Sequence, residues 1–276
     1  MRLNSQFENK FFDNRRSKIT GKLQKAIRNV SSGLKVLGAA DNPAGLSISE
    51  TTRSQIRGLA QAQRNIQDGM AFLKTTEDGL MKTNEDIQRL YEVSIMASND
   101  TMDNSSRLEV QGEVDGLLTS IQQTAETVQF NTRNLLGPET RPDKQKDISI
   151  QSGPNSNGSM TLELMDITTG SLGLANASVE TRENAVELMK TSKNAISNIA
   201  GYLSKIGSQY SSLENNLNNS LTLQNSLTTI EANIRDSDIG KEVMNLTINK
   251  LLLDGINTLH KYSDDQRQNF EKVLFE

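Results

Sequence analysis

Residues 59–87 read LAQAQRNIQDGMAFLKTTEDGLMKTNEDI, and their apolar spacing decides the fold. Leu59, Ile66, Leu73, Leu80 and Ile87 recur every seven positions. Ile56, Met70 and Tyr91 partly fill a companion row, which Gln63, Glu77 and Asn84 interrupt. A seven-residue period returns one stripe of a helix to the same side every two turns. The stretch therefore predicts a helix with a coiled-coil-like seam containing polar gaps. Upstream, Asn42 is a suitable N-cap and Pro43 a suitable first helical residue. Downstream, NDTMDNSS at 99–106 has the composition of a turn. The helix expected between them, from Asn42 to about Asn99, is on the order of 85 Å long at ~1.5 Å per residue.

A second helix is expected next, with Leu108, Val110, Val114, Leu117, Leu118, Ile121, Ala125 and Val128 on one side. Gly137-Pro138 is its stop signal. Two alternating segments, DISIQ at 147–151 and SMTLEL at 159–164, flank the polar loop SGPNSNG at 152–158 and predict a β-hairpin. A second heptad seam follows through Ile199, Ile206, Leu213, Ser220, Leu227 and Ile234, with Ile196, Leu203, Tyr210 and Leu217 as its companion row. RDSDIG at 235–240 interrupts it weakly before a last helix through Leu246, Leu253, Ile256 and Leu259. Near the start, SSGLKVLGAADNPAGLSI at 31–48 is a second interruption, rich in Gly, Asn and Pro.

The order is palindromic, so a fold-back at the hairpin sets the two seams face to face and the chain ends side by side. The expected fold class is mainly α: a long antiparallel coiled-coil-like helical rod with a short β-hairpin insert and paired terminal helices. Residues 1–42, 43–137, 138–172, 173–235 and 236–276 form the expected divisions. Residues 1–30 carry eight Lys/Arg against Glu8 and Asp13, a net +6, whereas residues 236–276 are net −3. Opposite charge favours pairing of these segments with each other or with the termini of neighbours. Surface ion pairs choose partners more than they stabilise.

Apolar residues are 34% of the 276 and aromatics 4%, which suits helices burying narrow stripes rather than a thick core. A net charge of −4 gives no support to nucleic-acid binding. The absence of cysteine removes disulfides, thiolate metal sites and Cys nucleophiles. No apolar run is long enough to span a bilayer, so no membrane role is expected. The start, MRLNSQFENKFF, has no apolar signal core. His260, the one histidine, allows no two-His metal site within a chain and reads as a helix-surface or interface residue. No G-x-x-x-x-G-K-[ST] loop occurs, and the glycines at 33, 38 and 45 do not follow a strand. Asp236 and Asp238 lack a full calcium-loop ligand set and read as helix-junction caps. No enzyme activity, cofactor or metal is expected.

These residues resemble those of the bacterial flagellins. The match lies in SSGLKVLGAADNPAGLSI at 31–48, QIRGL at 55–59, RNIQDG at 64–69, TTEDGL at 75–80, QRL at 88–90, Phe130-Asn131, Leu135-Leu136, and IRDSD at 234–238 followed by Lys241-Glu242-Val243. The resemblance covers most of the chain in the family's order. It implies a structural subunit that polymerises into the hollow flagellar filament used for swimming. It also implies export through the flagellar type III apparatus without a cleaved signal peptide.

In that reading Gly33, Gly38, Asp41, Asn42, Pro43 and Gly45 form a spoke between two concentric layers. Phe7, Phe11, Phe12, Leu246, Leu253 and Phe270 pack the inner one. The partners implied are other copies of the chain, an export chaperone, and hook-associated and cap proteins. Phe7, Phe11, Phe12, Arg15, Arg16 and the charged tail at 260–276 depart from the family's small, uncharged pattern and imply an unusual inner surface. The resemblance matches Gln88, Arg89, Glu92, Val93 and Glu113 to the surface that Toll-like receptor 5 reads in other flagellins; the competing reading, which is favoured, is that these residues pack the subunit against its neighbours. Tyr91 and Val93 depart there from the common Arg and Leu, which implies weak or absent receptor activation. Two alternatives share the helical pattern: a hook–filament junction protein and a coiled-coil adaptor forming a small fixed oligomer.

Overall fold

A computed structural model describes residues 2–137 and 147–275, with side chains over 9–137 and 147–269. The expected packing residues Phe7 and Phe270, and the part of the insert at 138–146, lie outside these described residues and side chains. In chain order the elements are α1 (Arg2–Ser32), α2 (Pro43–Ala97), α3 (Asn104–Thr127), β1 (Gln129–Phe130), β2 (Arg133–Asn134), β3 (Asp147–Gln151), β4 (Ser159–Glu163), α4 (Arg182–Arg235) and α5 (Ile239–Phe275). The fold is mainly α with a short β insert. It has two compact units, Met1–Ser54 with Ser226–Glu276, and Gln55–Asn225. Both α2 and α4 run through the two.

In the unit Gln55–Asn225, the predicted seam is the core. Leu59, Ile66, Leu73, Leu80 and Ile87 are all buried, as are Ile199, Ile206, Leu213 and Ser220 of α4. Yet α2 buries more than a seam. Ala62, Thr76, Thr83, Leu90 and Ala97 form a second buried row, and Phe72, Asp86 and Val93 lie beside it. Small and hydroxylated residues make the second row possible. Thr76 and Thr83 donate to the carbonyls of Phe72 and Gly79 at 2.9 and 3.0 Å, so they enter the core with their polar atoms satisfied by their own helix. Gln63 Nε2 donates to Gln224 Oε1 at 2.6 Å, closing one polar gap of the seam across α2 and α4.

The wider burial exists because two β segments pack on α2, each over a glycine. Ile150 of β3 sits over Gly69, Leu136 and Val128 sit over Gly79, and Pro154 of the hairpin loop sits over Gly58. β3 and β4 pair antiparallel with Ser149 opposite Thr161, which turns Ile150 and Leu162 inward. Lys205 of α4 holds Glu163 at the end of β4 in an ion pair.

Two expectations change. α3 ends at Thr127, ten residues before Gly137. The chain instead makes a tight hairpin in which Phe130 pairs with Arg133 and Asn131 and Thr132 both take positive φ, 48° and 65°. Asn134 locks it. Its Nδ2 donates to the Glu126 carbonyl at 2.9 Å, and its Oδ1 accepts from the amides of Leu136 and Gly137. The break between α4 and α5 is also complete rather than weak: Asp236-Ser237-Asp238 leaves the helix. Leu108, expected on the apolar side of α3, and Tyr210, expected in the companion row of the second seam, are exposed.

Candidate assembly surfaces

The unit Met1–Ser54 with Ser226–Glu276 holds α1 paired with α5 and a junction between α1 and α2. The junction begins where Gly33 ends α1. Its φ is +71°, and its amide still donates to the Asn29 carbonyl at 2.9 Å, a left-handed helix stop that favours glycine. Leu34 then pairs antiparallel with Asp236. The Lys35 amide donates to the Arg235 carbonyl at 2.8 Å, and the Ser237 amide to the Gly33 carbonyl at 2.9 Å. Lys35 Nζ adds a bond of 2.8 Å to the Asn233 carbonyl, placing a cation at the C-terminus of α4. The two breaks in the helical pattern therefore face each other and satisfy each other's backbone.

Asp41 is the junction's electrostatic centre. Arg28 donates to its Oδ1 at 2.7 Å, Lys25 approaches to 4.0 Å, and the Leu37 amide donates to Oδ2 at 3.3 Å. Asn42 caps α2 as expected, accepting from the Gly45 amide at 3.0 Å ahead of Pro43. A Cβ at Gly45 would lie 2.6 Å from Asn42 Nδ2, so the cap itself requires that glycine. Gly38 contributes its carbonyl to the Asp41 amide, but a Cβ there meets nothing. On the other side, Asp238 caps α5 through the Lys241 amide at 3.1 Å. Arg235 bonds Glu50 at 2.7 Å and Arg53 bonds Glu231 at 2.8 Å, tying the start of α2 to the end of α4.

On α1 the less exposed positions include Phe12, Ile19, Leu23, Ala26 and Val30, and on α5 they include Leu246, Asn249, Leu253, Ile256 and His260. His260 lies in the interface: its ring meets Phe12 edge-on at 5.0 Å, Nε2 is 3.3 Å from Asn9 Oδ1, and Nδ1 is 3.5 Å from Asp264. Phe12 also stacks edge-on with the exposed Phe11 at 5.8 Å. The opposite face of α5 is apolar and open. Met244, Ile248, Leu251, Leu252, Leu259 and Tyr262 are spaced as one helical stripe, with Met244 61%, Leu251 66% and Tyr262 63% exposed. The sequence placed Leu259 in the last helix without giving its side; the face it lies on became visible only once α1 was placed on the other side.

In the unit Gln55–Asn225, Arg89 Nε donates to Glu113 at 2.8 Å, joining α2 to α3, and its Nη1 donates to Glu92 of its own helix at 3.1 Å. The hydrogen bond to Glu113, then that to Glu92, pushes the Arg89 pKa above its ordinary value. Gln88, Arg89, Glu92 and Glu113 are exposed. Val93 is 1% exposed and sits in the core beneath them, so its side chain is not part of that surface. Among the described residues no three His, Cys, Asp or Glu side chains gather as metal ligands, and no helix is long and apolar enough to cross a membrane.

Long helices that bring both chain ends into one pair, and leave an apolar face of that pair open, define a helical structural subunit completed by other molecules. Residues 5–139 match the bacterial flagellin N-terminal helical region. A flagellin of Halalkalibacterium halodurans is 31% identical over 91% of this chain and 91% of its own. The chain belongs to the bacterial flagellin family: it is a structural subunit of the extracellular flagellar filament and not an enzyme. The crystal structure of Bacillus cereus flagellin superposes with a TM-score of 0.51 at 30% identity, over 57% of this chain and 88% of that one. A flagellar hook-associated protein of Vibrio parahaemolyticus superposes with a TM-score of 0.59 at 13% identity, over 71% of this chain and all of that one, and shares the fold alone.

Proposed function

We propose that the open stripe of α5 is the main contact through which copies of this chain add to the filament, with α1 and α5 as its inner layer. The observation that supports this is the exposure of Met244, Leu251, Leu252, Leu259 and Tyr262 along one face. Burying such a face is the dominant drive for association. The junction of Gly33, Gly38, Asp41, Asn42, Pro43 and Gly45 is the spoke leading outward, so the functional boundaries fall at 42/43 and 235/236. Leu246, Leu253, Phe11 and Phe12 pack the inner layer. Export runs through the flagellar type III apparatus with a chaperone covering the chain in transit, and hook-associated and cap proteins bound the filament. Leu251→Gln with Leu259→Gln tests the central contact: the double variant keeps its helical circular dichroism but no longer sediments as polymer. Undiminished polymer would refute the assignment.

The exposed Gln88, Arg89, Glu92 and Glu113 suit recognition by Toll-like receptor 5, but Tyr91 alters the surface and Val93 is withdrawn from it into the core. Activation is therefore weaker than by a typical flagellin. A reporter-cell response of ordinary potency would contradict this.

A further inference from the structure

One face of α1 is a stripe of cations that, among the described residues, form no ion pair with α5 of the same molecule. Arg15, Lys18, Lys22 and Lys25 follow one another at helical spacings of three and four, and all are exposed. Lys25 reaches Asp41, and Arg15 lies over the Phe11 ring at 4.9 Å. Among the described residues no ion pair joins α1 to α5, although their segments carry opposite net charge. The acids of α5 explain this. Glu242 faces α1 but meets Asn29, and Asp264 is taken by His260 and Arg267. Asp254 and Asp265 are exposed and border the open apolar stripe on the same side. They are separated along the helix by about 16 Å; Arg15, Lys18 and Lys22, the cations of the stripe other than Lys25, span about 10 Å, short enough to lie between them.

We infer that the cationic stripe of α1 docks on α5 of a second copy of this chain, with Arg15, Lys18 and Lys22 facing its Asp254 and Asp265. The inference rests on the filament reading and adds the register and polarity of one contact. Apolar burial along Leu251 and Leu259 supplies the drive, and the charges at its border select how the second molecule is placed. Desolvation at the rim of a buried stripe strengthens these pairs beyond exposed ones.

The test is charge exchange in the full chain. Arg15→Glu with Lys18→Glu and Lys22→Glu, and separately Asp254→Lys with Asp265→Lys, each raise the critical monomer concentration for polymerisation by about tenfold or more. Combining all five substitutions restores it to within about threefold of wild type, because repulsion becomes attraction. Circular dichroism of each monomer confirms that α1 and α5 keep their helix. Overturning results are an acid reversal without effect on assembly, or a combined variant no better than the worse parent. Failure of the wild type itself to polymerise would overturn the filament reading and this inference with it, whereas failure of exchange alone removes only the inference.

Discussion

Asp103 accepts a hydrogen bond from the Ser106 amide at 2.9 Å and so caps α3. Bonds from the Ser106 side chain, then its backbone, hold the Asp103 carboxyl below the usual carboxylate range. The sign follows from linkage: a depressed folded pKa means the cap contributes fully above the unfolded value, about 4, and fades as pH falls through the lower folded one. An NMR titration of the Asp103 carboxyl carbon in the monomer is expected to give a midpoint below that of the same aspartate in the unfolded chain; an equal or raised midpoint would contradict the cap. Asn42 and Pro43 were legible as a helix start because their chemistry is local. Val93 was not: on sequence it stood with Arg89 and Glu92, and only the packing of α2 turns it inward.

At the scale of elements, the glycines of α2 separate two kinds of site. A Cβ at Gly79 would lie 2.6 Å from Leu136 Cδ1 and 3.1 and 3.2 Å from the Val128 methyls, whereas a Cβ at Gly112 of α3 meets nothing within 4 Å. Gly79→Ala therefore gains helix propensity of about 1 kcal/mol but overpacks by about 1–3 kcal/mol, for a net loss. Gly112→Ala keeps the gain and stabilises by up to about 1 kcal/mol. Urea denaturation of the two variants is expected to move their midpoints in opposite directions. The heptads made α2 and α4 readable because one apolar residue per two turns is a strong signal. The row of Ala62, Thr76 and Thr83 was not readable, since its members are small or hydroxylated and their burial depends on the β segments above them. The hairpin of β1 and β2 was missed for a similar reason. Val128 extended the helical pattern of α3, while the turn depends on positive φ at Asn131 and Thr132 and on Asn134 reaching back to Glu126.

At the scale of the whole molecule, the palindrome of helix, break, long helix, hairpin, long helix, break and helix was enough to place the chain ends together. The backbone bonds between Gly33–Lys35 and Arg235–Ser237 are the physical form of that symmetry. Charge gave the right partners in sequence but not the pairing within the molecule, because net charge does not say which side of a helix carries it. Among the described residues the outward face of α5 is an open apolar stripe, and its burial by neighbouring copies is the central claim of the proposed function. Cryo-electron microscopy of the purified full chain after seeding tests this most directly. The account predicts long hollow filaments in which α1 and α5 form the innermost layer and the stripe from Met244 to Tyr262 is covered by neighbouring copies. Monomers or small closed rings despite seeding, or filaments in which that stripe remains open to solvent, would contradict it.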